Sequence, residues 1–187
     1  METTPIYDLV YRITESDYEA FNLALIKKEV EKRKKRSRVL GIFEVIVGVL
    51  MLVSMLTAQA KSETLYYVLD ILLILMGTYS LSFYKFIFPK KLKKASSKNY
   101  ASNPYLNNDV HVTIYDDSVH EHSFEVDNIV EWDEFSKIQL TSTLLMLILK
   151  NNKCIIIPLR EIDNVDKLDS FLTGIHDVWG IEYIKER

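Results

Sequence analysis

Two nearly charge-free stretches, separated by four residues, constrain this chain more than any other feature. Residues 39–60 (VLGIFEVIVGVLMLVSMLTAQA) hold one charged side chain, Glu44, and residues 65–84 hold one, Asp70. A bilayer core about 30 Å thick is crossed by roughly 20 apolar residues in a helix, and each stretch supplies them. The second span reads as Leu65–Phe88, ended by Pro89. The loop Lys61-Ser-Glu-Thr64 is so short that the two helices must run antiparallel. A helix satisfies its own backbone groups, as lipid demands. Two buried helices of a soluble bundle would be the rival reading. Their length, their near lack of charge and their basic flanks argue against it.

The flanks carry the orientation. Eight Lys/Arg lie between Lys27 and Arg38, and six Lys with no acid lie between Lys85 and Lys98. The short loop has only Lys61. The positive-inside rule then puts both termini in the cytoplasm of a multi-pass protein of the cell membrane. Lys34, Lys35, Arg36 and Arg38 on one side, and Lys90, Lys91, Lys93 and Lys94 on the other, are the expected contacts to anionic lipid head groups. Each cation near such a surface contributes about 1 kcal/mol. From Asn99 to Arg187, 16 Asp/Glu stand against seven Lys/Arg. That acidic balance disfavours a nucleic-acid partner for the distal part. The polar start Met1–Ile6 does not read as a signal peptide. With one cysteine, Cys154, no disulfide forms within the chain. Its apolar strand-like setting predicts a buried, inert thiol.

Outside the spans, Ile6–Ile13 reads as a short strand. Thr14-Glu-Ser-Asp17 reads as a capping-box helix start, and Tyr18, Phe21, Leu25 and Ile26 follow at helical spacing. Residues 89–104 (PKKLKKASSKNYASNP) read as a polar, basic linker. Beyond it the pattern alternates. Val110, Val112 and Ile114 begin a strand, Asp116-Asp117-Ser118 a turn, and Val119–Val126 a strand with His120, His122 and Phe124 on one face. Ile129–Trp132, Phe135–Leu140, Leu144–Leu149 and Cys154–Leu159 continue, the last two joined by an Asn151-Asn152 hairpin turn. Arg160–Val178 shows helical spacing and Trp179–Ile184 an extended tail. The fold class is thus α+β: a transmembrane helical hairpin plus an antiparallel sheet or barrel closed by a C-terminal helix. The expected division is 1–38, an N-terminal strand and basic amphipathic helix; 39–88, the hairpin; 89–104, the linker; and 105–187, a cytoplasmic domain.

Four features carry a family resemblance. They are Ile6-Tyr7…Ile13-Thr14-Glu15…Asp17-Tyr18…Phe21, the span pair, the Tyr115-Asp116-Asp117 turn, and Ile129-Val130-Glu131-Trp132 leading to Ile155-Ile156-Ile157-Pro158. In these the chain resembles the YcxB-like membrane proteins of bacteria. The resemblance implies a two-span anchor and a cytoplasmic domain similar to pleckstrin-homology (PH) folds. It carries over no catalytic motif.

Glu44 and Asp70 are the sharpest candidates for chemistry, since an acid near mid-bilayer costs about 2.5–3.5 kcal/mol on insertion scales. Splitting the chain at the loop puts them near opposite faces, about 15–20 Å apart. That spacing favours near-interfacial acids, or contacts to another copy, over an ion path. Gly48 with Ser54, and Gly77 with Ser80, offer small surfaces for packing within a hairpin or a homo-oligomer. His111, His120 and His122 lack a zinc-site spacing and read as solvent-facing sheet positions. Trp132 and Trp179 read as core or rim aromatics. Neither a phosphate loop nor a nucleophile motif is present, so neither an enzyme nor a cofactor is expected. The expected function is a membrane-tethered interaction or regulatory module for a protein partner. The alternative is an oligomeric transport-related protein using Glu44 or Asp70.

Overall fold

The computed structural model describes residues 4–57, 64–123 and 126–186. The loop residues Lys61, Ser62 and Glu63, the end of the first span at 58–60, and Phe124 lie outside the described residues. The chain forms two units. One is Leu25–Lys94; the other joins Met1–Ala24 with Ala95–Arg187.

The first unit is helical. Helix α1 (Glu15–Thr57) runs unbroken through 43 residues, so the basic segment and the first apolar stretch are one helix. Helix α2 (Thr64–Ser82) follows and passes into a π turn, Phe83–Ile87, then into α3 (Phe88–Ser102). Both apolar helices are long enough to cross a membrane. They approach closely at two levels. A methyl placed on Gly41 would stand 2.8 Å from the Gly77 carbonyl oxygen, and one on Gly77 would stand 2.8 Å from that of Gly41. One on Gly48 would stand 2.6 Å from Ile74. Only glycine permits these approaches, as in other small-residue helix contacts.

Residues 89–104 differ from the linker expected of them, since most of them are helix α3. Proline is tolerated in the first turn of a helix, where its missing N–H is not needed. Pro89 sits there, just after the π turn, whose Phe88 N–H bonds back to the Phe83 carbonyl. The wider turn leaves room for the ring where an α-turn carbonyl would stand.

Among the described residues, the second unit holds eight strands in two sheets. Strand β1 (Tyr7–Arg12) pairs antiparallel with β2 (Asp109–Ile114), followed by β3 (Ser118–Ser123) and β4 (Val126–Glu131), in the order β1-β2-β3-β4. The second sheet orders β7 (Cys154–Pro158), β6 (Leu144–Leu149), β5 (Phe135–Leu140) and β8 (Glu182–Lys185). The expected tail is strand β8, which runs parallel to β5, so this sheet is mixed; among the described residues the two sheets do not close into a barrel. The Asn151-Asn152 turn is as expected, with Asn152 at φ 66°. A four-residue helix, α4 (Pro104–Asn107), precedes β2.

Helix α5 spans Val165–Trp179, starting later than the helical spacing suggested. Asn164 fixes the start, its side chain accepting the Lys167 N–H at 2.9 Å. Gly180, at φ 67°, ends it in the left-handed conformation. The inner faces of both sheets and the Leu168/Leu172/Ile175 stripe of α5 share one core around the fully buried Trp132. Tyr11 ties the sheets together, its hydroxyl donating to the Ile156 carbonyl at 2.7 Å.

The start of α1 and the end of α3 belong to this unit. Thr14 and Asp17 form the expected capping box. The Thr14 N–H donates to Asp17 at 2.8 Å, and the Asp17 N–H to Thr14 Oγ1 at 3.2 Å. Tyr100 donates to the Ile13 carbonyl at 3.0 Å, and Asn22 to Ser96 Oγ at 3.2 Å.

Candidate functional site

In the helical unit the apolar side chains point outward. Phe43, Leu50, Leu56, Leu65, Leu75 and Met76 are all exposed, and so are most of their apolar neighbours. The polar groups turn inward instead. Asp70 is only 2% exposed, and neither of its carboxylate oxygens has a hydrogen-bond partner among the described residues. The same holds for Oε2 of Glu44.

The glycine contacts fix the helix register and bring the two acids nearer than the sequence suggested. Asp70 Oδ1 lies 3.5 Å from where a Gly48 methyl would sit, and Glu44 Cβ 3.0 Å from that of Gly77. Glu44 precedes Gly48 by four residues, and Asp70 precedes Gly77 by seven. Their axial separation is therefore roughly 6–10 Å, one to two turns, not 15–20 Å. Counting from the loop assumed that the helices pair from their ends. The Gly41–Gly77 approach sets the pairing instead.

The basic candidates divide. Lys34 and Arg38 line a cavity of about 320 Å³ between α1 and the end of α2, with Ser80, Leu81, Tyr84 and Lys85. Lys35, Arg36, Lys90, Lys93 and Lys94 are exposed outside it. Lys91 lies 5.7 Å from the Phe83 ring centre, a cation–π distance. Lys85 was not among the expected head-group contacts, and Ser80 was expected only as a small packing residue. The π turn that contains Tyr84 and Lys85 has no local sequence signature.

The sheet unit has a smaller cavity, about 280 Å³, lined by Tyr105, Glu121, Asn128, Lys153 and Cys154 among others. Glu121 sits on the inner face of β3 opposite Asn128 of β4, and the Tyr105 hydroxyl from α4 donates to its carboxylate. Burial pushes the Glu121 carboxyl above its usual range, against the opposite pull of Tyr105 and Lys153. Burial, then the Glu121 charge, pushes the Cys154 thiol up to about 12. Its Sγ donates weakly to the Ile155 carbonyl at 3.6 Å. A thiol so raised is a poor nucleophile. Cys154 was singled out in the sequence, but Tyr105 and Glu121 were not, because they meet only through the tertiary fold.

A second polar cluster lies at the α1 start. Arg160 Nη1 reaches both Asp17 oxygens at 2.7 Å, and Nη2 donates to the Arg12 carbonyl at 2.9 Å. Burial alone would raise the Asp17 carboxyl. Hydrogen bonds from Arg160 and Thr14 outweigh it and hold the group below the usual carboxylate range. This cluster is structural, clamping β1, α1 and the 3₁₀ turn Leu159–Glu161 together.

The histidines are brought together only in part. His111 stands opposite His122 across β2 and β3, while His120 stands opposite Thr113 and packs on Tyr115 at 4.7 Å. His111 Nε2 is 2.6 Å from Asp8 Oδ1, and His122 Nδ1 is 3.5 Å from Asp127. Among the described residues no group of three His, Cys, Asp or Glu is arranged to hold a metal ion. Trp132 is a core residue, its Nε1–H donating to the Tyr115 carbonyl at 3.2 Å; Trp179 is partly exposed at the α5 end.

Comparison with known proteins adds one finding. No curated protein matches the chain. Residues 114–173 match the family model described as YcxB-like protein. That segment runs from the last residue of β2 through β7 and most of α5, and includes Glu121, Trp132 and Cys154. Residues 114–173 are therefore similar to the YcxB-like family, the family named by the resemblance.

Proposed function

We propose that this chain is a non-catalytic, membrane-anchored module that holds its YcxB-like domain at the cytoplasmic face for a protein partner. One observation carries the anchor. The helix pair is inside out for water, with exposed leucines and a buried Asp70. Burial of apolar surface is what folds a chain in water, so such a pair is stable only where lipid covers the outside. The Lys/Arg-rich flanks support a cytoplasmic placement of both ends.

The domain itself supports the interaction role. We read its two open sheets with α5 as a relative of PH folds. Strand β4 pairs only with β3 among the described residues, which leaves a free backbone edge. Ile129 on that strand is 67% exposed, and Asp127 and Glu131 flank it. A free edge accepts an extended segment as a further strand. The acidic flanks suit a segment carrying basic side chains. Cross-linking from a photo-reactive residue at Ile129 in native membranes, followed by mass spectrometry, tests this. A defined partner captured there and lost when Asp127 and Glu131 are both changed to Lys supports it. A chain that links only to itself in every growth state contradicts it.

Asp70 favours a second reading, an oligomer that gathers its buried carboxyl around an ion path. Buried polar groups are normally hydrogen-bonded, and this one has no partner among the described residues. Flux in proteoliposomes that vanishes in Asp70→Asn and Glu44→Gln would favour it. Flux that is absent, or unchanged by both, removes it.

A further inference from the structure

The helix pair contains a built cavity at one end. Arg38 lies one turn outside the Gly41–Gly77 approach, and Ser80 and Leu81 lie one turn beyond Gly77 on the facing helix. On that side of the glycines lies the 320 Å³ cavity lined by Lys34, Arg38, Ser80, Leu81, Tyr84 and Lys85. Three cationic residues line it, together with Ser80 and Tyr84. Among the described residues, no carboxylate lies within ion-pair distance of Lys34, Arg38 or Lys85. Nearby Arg33, by contrast, is paired with Glu29 at 2.8 Å. The cavity has the size of a small-molecule site, at the low end of the range.

The backbone supplies an independent sign. The wall that carries Tyr84 and Lys85 is the π turn, a form that is rare and often found at functional sites. It shifts the residues after it around the helix axis. Ser37 ties α1 to α2 beside the cavity, its hydroxyl donating to the Ser80 carbonyl at 2.9 Å.

We propose that this cavity binds one phosphate group, and that in the membrane the group belongs to an anionic phospholipid. The proposal rests on the membrane-anchored reading above. If that reading holds, the cavity lies where the apolar surface gives way to the basic collar, at head-group depth. Basic pockets between spanning helices on the cytoplasmic side are suited to such head groups. Arg38 offers a planar fork to phosphate oxygens, Lys34 and Lys85 offer point charges, and the hydroxyls of Ser80 and Tyr84 are further donors. This differs from the general attraction of the collars. It assigns one site to one stoichiometric ligand, and it adds Lys85, Ser80 and Tyr84 to the residues that contact lipid.

The test uses the full chain in vesicles of phosphatidylcholine doped with phosphatidylglycerol. After mild detergent extraction, native mass spectrometry counts the phosphatidylglycerol retained per chain. One retained molecule is expected. Combining K34Q, R38Q and K85Q should lower the retained fraction at least about tenfold, while K91Q, K93Q and K94Q together, an equal loss of charge, should change it by less than about twofold. R38K alone should keep most of the retention. Displacement of the lipid by excess inorganic phosphate would support the phosphate pocket but assign it to a free anion. Retention in excess phosphate assigns it to the lipid. Equal losses in the two triple variants, or no retained lipid, would overturn the pocket. Flotation with pure phosphatidylcholine vesicles tests the anchor separately. A chain that floats but retains no phosphatidylglycerol defeats the pocket alone; a chain that does not float defeats both.

Discussion

The two units bury opposite things. The sheet unit hides Trp132, Ile138 and Leu147 and exposes carboxylates. The helix pair hides Asp70, Gly41, Gly48 and Gly77 and exposes Phe43, Leu50 and Leu75. Both follow from one rule, that each surface matches its solvent. In the domain, water drives the apolar groups together. In the helix pair, on the membrane-anchored reading proposed above, lipid would remove that drive, and close packing of small residues would take its place. The difference teaches that apolar content alone says little about where a core lies. Strand β6 and helix α2 are both strongly apolar, yet one is almost wholly buried and the other mostly exposed.

Substitutions that respect or violate this contrast should separate by size. The largest effect is expected in the domain. Trp132→Ala removes a fully buried indole, its contact with Phe135 and its hydrogen bond to Tyr115. It should destabilise the domain by about 3–5 kcal/mol, read as a lower urea midpoint followed by domain fluorescence. A loss below about 1 kcal/mol would mean that the core is not centred there.

Next comes the helix pair, where adding atoms inside should hurt and changing the outside should not. Gly77→Leu drives a side chain into the Gly41 carbonyl and Val45. It should cost about 1–3 kcal/mol of hairpin stability, measured by steric trapping or by loss of an engineered cross-link between α1 and α2. Leu72→Ala, on the outer face, should leave that cross-link intact. The opposite ranking would show that the pair has a water-type core after all.

A smaller effect belongs to the polar clamp. Asp17→Asn keeps part of the cap but loses the charge facing Arg160. About 1–2 kcal/mol is expected, discounted because Arg160 is half exposed. The folded Asp17 carboxyl is held below its unfolded value. Its contribution is therefore present above the ordinary carboxylate range and lost as pH falls through the lowered folded value. Thermal melts of both proteins should differ at pH 7 and converge under strong acid.

The smallest effect has the other sign. Glu121 is held above its unfolded value, so its ionisation costs stability once pH rises above the ordinary carboxylate range. Glu121→Gln keeps an oxygen for the Tyr105 hydroxyl and removes the charge. It should raise the melting temperature at pH 7–8 by an amount equivalent to about 1 kcal/mol or less, and leave it unchanged near pH 4. A lower melting temperature at pH 7 would show that the ionised form is the one the cavity stabilises.

Local features were legible in the sequence, while features that depend on distant contacts were not. The long apolar runs, the Thr14–Asp17 capping box and the Asn151-Asn152 turn each depend on a few adjacent residues. The sequence carried them without help from the fold. The α3 helix was hidden because KKLKKASSKNY shows little apolar periodicity, and Tyr100 acquires its role only by meeting Ile13 and Tyr18. The pairing of β1 with β2 spans nearly 100 intervening residues, and the parallel β5–β8 pair needs α5 as its crossover. The same limit applies to the sites. Glu44 and Asp70 were conspicuous as lone charges, but their separation depended on a glycine register. Lys85 and Glu121 were ordinary until π-turn geometry in one case, and a facing tyrosine in the other, gave them surroundings.

The outward apolar face of the helix pair is the central claim, and chemical labelling in intact membranes tests it most directly. Single cysteines, Val49→Cys, Leu72→Cys and Lys93→Cys, would be placed in a Cys154→Ser background and exposed to a charged, membrane-impermeant maleimide from either side. A lipid-facing pair predicts no labelling at positions 49 and 72 until detergent is added, with labelling at 93 from the cytoplasmic side only. Labelling at 49 and 72 as fast as at 93 would contradict it.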